Sequence, residues 1–152
     1  MSEEDIGIIG LGNPLNGDDG IGIVLIHEIE KRDLFLNVFT FDAGTGGMKV
    51  LHLLKDFDKV IIIDAVYFNG EPGDFVFFEP DEVRSINIPK TTHDSNLFEV
   101  LELSENLGEI PAEVIIMGIQ PKNSDIGEGL SDEVKNNIES MLNSLKKKIK
   151  NL

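Results

Sequence analysis

Cysteine is absent from the 152 residues. That excludes disulfides, a thiol nucleophile and any thiolate metal site built by this chain alone, so a metal here has only oxygen and imidazole donors to use. Positive charge is scarce: 13 Lys and Arg stand against 28 Asp and Glu, a formal net charge of −15, with an isoelectric point near 4.4. Affinity for nucleic acid comes largely from Lys and Arg releasing counterions from phosphates, so this balance predicts no nucleic-acid partner. It favours solubility and steers any basic partner segment toward the chain. No apolar run in the sequence approaches the roughly 20 residues of a membrane span. The opening "MSEED" is acidic and lacks the positive region of a secretory signal. The expectation is a cytoplasmic protein without membrane association.

The length suits one domain, residues 1–152, large enough to bury a core without disulfides or a structural metal. Short apolar, β-branched runs alternate with stretches of helical period, the sign of βαβ units around a mostly parallel sheet. The strands read as "IGIIGLG", "NVFTFDAG", "KVIIIDAV" and "AEVIIMGIQ". Val60 to Ile63 is continuously apolar, as in a strand covered on both faces, so the third should be central. Helices are predicted over "IGIVLIHEIEKR" from Gly20, "GMKVLHLLKD" from Gly47, "DSNLFEVLELSEN" from Asp94 and "SDEVKNNIESMLNSLKKKIK" from Ser131. The last reads as a single surface helix, with Asp132 and Glu133 suited to its N-terminus and lysines to its C-terminus. "GDFVFFEP" follows the third strand after only "NGEPG", too short for a crossover helix, and is predicted antiparallel. The expected fold is a three-layer α/β/α sandwich on a five-stranded, mostly parallel sheet.

The stretch "GLGNPLNGDDGIG", residues 10–22, sets two carboxylates in a glycine-rich turn after the first strand. A dinucleotide fingerprint needs G-x-G-x-x-G, but Leu15 stands where the third glycine belongs. Paired carboxylates at a helix N-terminus would also repel a pyrophosphate. No P-loop Lys-Ser/Thr pair is present. Asp is a favoured helix cap, so one of Asp18 and Asp19 reads as structural. Ligands of parallel α/β sheets sit beyond the carboxyl ends of the strands. Asp19 follows the first strand there, Asp42 the second and Asp64 the third, and His93 lies in the loop before the third helix. Singly, each has an ordinary role in a loop. Together they suit a divalent ion held by two carboxylates and an imidazole, with positions open for substrate. His27 and His52 fall within amphipathic helices and read as helix-face residues outside that cluster.

"GLGNPLNGDDGIG", "FDAGTGGM", "VIIIDAV", "THDSNL" and "GIQP" with the later "GLS" occur in the order and at about the spacing of the hydrogenase maturation endopeptidases, which the chain resembles over nearly its whole length. The resemblance implies removal of a C-terminal extension from the large-subunit precursor of a nickel-iron hydrogenase after nickel insertion. It implies metal contacts from Asp19, Asp64 and His93, with nickel arriving in the precursor, and a substrate-contacting or catalytic part for Asp42 and the Gly44–Gly47 loop. Asp19 stands where some relatives have Glu. Two alternatives differ in class. One is a non-catalytic nickel-checkpoint module that recognises the loaded subunit without cutting it. The other is a peptidyl-tRNA hydrolase, which shares "GLGNP" but continues with a histidine-containing stretch where this chain has "GDDGIG".

Overall fold

Residues 5–82, 90–91, 97–122, 127 and 129–152 are described by a computed structural model. Strands β1 (Ile6–Gly10), β2 (Val38–Asp42), β3 (Lys59–Tyr67), β4 (Phe75–Phe78) and β6 (Glu113–Ile119) form one sheet in the order β2-β1-β3-β6-β4. All neighbours are parallel except β4, which runs antiparallel to β6. The two-residue β5 (Lys90–Thr91) adds an antiparallel pairing to Val66 and Tyr67 at the end of β3. The expected antiparallel strand is therefore present, but β6 inserts between it and β3, so the short connection does not make a hairpin.

Alternation along the central strands splits the core into two layers. Val60, Ile62 and Val66 of β3 pack with Val114 and Ile116 of β6 against α2 (Gly47–Leu54) and α3 (Leu97–Asn106). Ile61, Ile63 and Ala65, with Ile115, Met117 and Ile119, face α1 (Ile21–Arg32) and the C-terminal helices. This is the pattern of a strand buried on both faces. Helix α1 meets the sheet with Ile21, Leu25, Ile26 and Ile29, one apolar stripe at helical spacing.

The C-terminal segment departs from expectation. Instead of one helix from Ser131, a single turn α4 (Asp132–Lys135) is followed by α5 (Ile138–Lys150). Asn137 ends the first turn by using its side chain elsewhere: Nδ2 donates to the Gly73 carbonyl at 2.6 Å. That bond holds the junction of the two helices against the β3–β4 connection, and Asn137 there leaves helical geometry, at φ −102° and ψ 3°. Nor is α5 merely superficial, since Met141, Leu142 and Leu145 are fully buried. The predicted start of the third helix at Asp94 lies outside the described residues.

Candidate active site

The turn after β1 is built by close approach. A Cβ on Gly22 would lie 2.4 Å from the Leu11 carbonyl oxygen and 2.5 Å from that of Ile63, so only glycine lets α1 start directly against β1 and β3. Gly12, at φ +136°, would place a Cβ 1.9 Å from the Asp19 carbonyl oxygen, and glycine alone tolerates both that conformation and that contact. The chain thereby folds back into a 3₁₀ turn, Gly17–Gly20, which packs on β3 and carries both aspartates inside. Asp18 and Asp19 are each 1% exposed.

Neither aspartate caps α1, whose N-cap is Gly20 with no side-chain hydrogen bond. This corrects the local capping expectation: the carboxylates accept from backbone amides away from the start of α1. Asp18 Oδ1 accepts from the Ser131 N–H at 2.7 Å, and its Oδ2 accepts from the Ser131 hydroxyl at 2.7 Å and the Lys122 N–H at 2.8 Å. Ser131 is itself the N-cap of α4, accepting from the Val134 N–H. One buried carboxylate thus ties the first turn to the chain leaving β6. The tie is reinforced by Gly127, whose N–H donates to the Leu15 carbonyl and whose carbonyl accepts from Gly17. Asp19 serves its own loop, with Oδ2 accepting from the Asn13 N–H at 3.0 Å.

Asp64 is fully buried and lies within β3, not at its end. The strand continues because β5 pairs with Val66 and Tyr67. The β1 ladder on the other side has already stopped at Gly10 opposite Ile63, so Asp64 stands one residue beyond the edge of β1, where the Gly17–Gly20 turn packs. Its Oδ1 accepts from the Ala65 N–H at 2.9 Å. Structure thus brings the Asp19 turn and Asp64 to the same crest of the sheet.

Asp42 differs from both. It ends β2 with a side chain 43% exposed. Its Oδ1 accepts from the Gly44 N–H at 3.0 Å, an Asx turn, and its carbonyl accepts from Lys49 Nζ at 2.8 Å. Its Oδ2 lies 3.2 Å from Nε2 of His27. His27, read from sequence as an unconnected helix-face residue, therefore belongs to the rim of this region. The Asp42 loop touches the first loop through its backbone, with the Gly12 N–H donating to the Gly44 carbonyl at 2.8 Å.

His93 lies outside the described residues. Among the described residues, no group of three or more His, Asp or Glu side chains is arranged to hold a metal ion. The available donors, two buried carboxylates at one crest, are of the oxygen type a borderline divalent ion accepts alongside imidazole.

Two residues at the far side of the crest escaped the sequence reading. Gln120, at the end of β6, accepts from the Phe68 and Gly70 N–H groups through Oε1 at 2.8 and 3.2 Å and so braces the β3–β4 connection. Lys122 binds Asp18 through its backbone and Glu133 through its ammonium at 2.9 Å. That hydrogen bond to Glu133 raises the Lys122 pKa above the usual lysine range and holds Glu133 below the ordinary carboxylate range. Gln120 falls in the "GIQP" stretch directly after an apolar strand run, a signal that gave it no role, and Lys122 follows two residues later with no signal of its own.

A family model described as hydrogenase maturation protease matches residues 23–148. A protein of Methanocaldococcus jannaschii, provisionally named a hydrogenase maturation protease, is 38% identical over 139 residues, spanning 88% of this chain and 89% of that protein. The hydrogenase expression/formation protein HupD of Bradyrhizobium diazoefficiens is 30% identical over 135 residues, 86% of this chain and 70% of its own length. Among solved structures, the hydrogenase maturating endopeptidase HybD from E. coli superposes with a TM-score of 0.80 at 26% identity, covering 93% of this chain and 89% of that one. A nickel-iron hydrogenase maturation protease, HybD from Thermococcus kodakarensis, gives 0.75 at 25% identity, with 94% and 97% covered.

Proposed function

The chain belongs to the hydrogenase maturation protease family and is a peptide hydrolase, and from that premise we propose that it removes the C-terminal extension of a nickel-iron hydrogenase large-subunit precursor once nickel has been inserted. The observation that carries this reading is the placement of Asp19 and Asp64, both buried, at one crest of the sheet. Nickel is part of the substrate here, held by the precursor. Asp19, Asp64 and His93 supply the oxygen and nitrogen donors that complete its coordination. Two carboxylates and one imidazole make an incomplete site for such an ion, so tight binding depends on metal already in the precursor, and unloaded precursor is refused.

Asp42 has a different task. As the exposed carboxylate of the three, it takes the proton of the water that attacks the scissile carbonyl and returns a proton to the departing amine. Each of its oxygens keeps acceptor capacity beyond the bond from Gly44 and the contact with His27. Leu15 and Met48 stand exposed in the first turn and at the start of α2, offering apolar contact to residues flanking the cleaved bond. Relatives named for hydrogenase maturation or for hydrogenase expression and formation support this reading over a peptidyl-tRNA hydrolase. Those named endopeptidases or proteases support it over a checkpoint that binds without cutting. The experiment is incubation of purified protein with nickel-loaded and metal-free precursor, followed by precursor mass. A mass loss with loaded precursor only is expected. Equal cutting of both, or of neither, overturns the proposal.

A further inference from the structure

At the opposite end of the sheet, where β6 begins and β4 ends, lies a groove of about 660 Å³, within the range of ligand-binding clefts. Its floor is the edge of the α3 core layer: Phe98, Leu101, Ile110 and Val114. Its rim carries Glu79, Asp81, Glu102, Glu105 and Glu113, and among the described residues no Lys, Arg or His lines it. Among the described residues, none of these five carboxylates has an ion pair. We propose that this groove docks a partner polypeptide segment in which Lys or Arg flanks a bulky apolar side chain. Like charges crowded around one opening repel each other and focus a negative field into it. A cationic segment relieves that repulsion, while its apolar anchor removes the floor from water. Phosphate-bearing partners are repelled by the same rim. The surface is separate from the crest that holds Asp19 and Asp64, so it would recognise a partner independently of the cleaved bond.

The test uses the full chain and a fluorescein-labelled peptide, Gly-Lys-Leu-Lys-Phe-Lys-Gly, followed by fluorescence anisotropy. Glu102→Lys with Glu105→Lys changes two exposed positions of α3 and should weaken binding at least tenfold. Glu30→Lys with Glu71→Lys alters net charge equally on other surfaces and should leave it within twofold. A peptide with Leu and Phe replaced by Ser keeps its charge and should also bind at least tenfold more weakly. Circular dichroism confirms that both double variants fold. Equal weakening by the two double variants would mean general attraction to an acidic chain and overturn the proposal. Undiminished binding of the Ser peptide, or no binding by wild type, would overturn it as well.

Discussion

At the carboxyl end of the sheet, Asp18, Asp19 and Asp64 are buried and accept hydrogen bonds from backbone amides. At the amino end, Glu79, Asp81, Glu102 and Glu105 stand in solvent around an apolar floor. A desolvated carboxylate must be bonded, paired or bound to metal to be tolerated, so at the first end each acid is committed to a position and a role. An exposed carboxylate costs little wherever it stands, so at the second end the charges act collectively as a field. Single substitutions should therefore be severe at the crest and mild at the groove, where only combined charge reversal is felt.

The severest break in that contrast should come at Asp19 and Asp64. Asn at either position keeps the shape but removes a negative donor, and processing of nickel-loaded precursor should fall roughly 1,000-fold. His93→Ala should do the same with little change in melting temperature, since the proposed role of its imidazole is in binding and not in folding. Undiminished processing by any of these variants, measured by precursor mass, would remove that residue from the site. Asp42→Asn, at the exposed rim, should lose activity by about 100-fold, the contribution of one proton-transferring group. Its melting temperature should hardly move, because its bonds are at the surface. Full activity in that variant would reduce Asp42 to the Asx turn it makes with Gly44.

Asp18 sharpens the comparison from inside one dipeptide. Asp18→Ala leaves the Lys122 and Ser131 amides without their acceptor and should cost about 3 kcal/mol, a fall in melting temperature of roughly 6–12 °C. Asp19→Asn should be far milder in stability and far worse in processing. If the two neighbours exchanged these behaviours, the division between clamp and site would be reversed.

How much of this was legible depended on the distance over which each residue acts. The two-sided burial of β3 was readable from Val60 to Ile63 because it is a property of a contiguous run. The antiparallel β4 was readable from the length of one connection, though its pairing with β6 was not, since β6 lies some forty residues downstream and short-range signals do not reach it. Asp42 could be placed at a strand end from spacing alone, whereas Asp64 falls inside β3 because the strand is prolonged by its pairing with the distant β5. Which of Asp18 and Asp19 was structural could not be read, because the Asp18 partners are 104 and 113 residues away. The same holds for His27: helical period assigns it a face of α1 but is silent about Asp42 opposite that face. Asn136–Asn137 looks like ordinary helix surface until Gly73 is known to lie beside it.

The smallest effect tests whether the buried clamp depends on the surface beside it. Lys122 meets Asp18 through its amide and Glu133 through its ammonium, and the latter pair is exposed. The folded chain holds the Glu133 pKa low, so this contribution is present above the unfolded glutamate pKa of about 4.3 and fades as pH falls through the folded value. It holds the Lys122 pKa high, so the contribution is present below the unfolded lysine pKa of about 10.4 and fades as pH rises through the folded value. The melting-temperature difference between wild type and Glu133→Gln should therefore be flat near neutrality and shrink at both extremes. High salt should diminish it further, as for any solvent-exposed pair. Thermal scans of both proteins at acid, neutral and alkaline pH, with and without added salt, measure this directly. A salt-insensitive loss as large as that of Asp18→Ala would mean that the ammonium contact, and not the buried carboxylate, fixes the segment leaving β6 against the first turn.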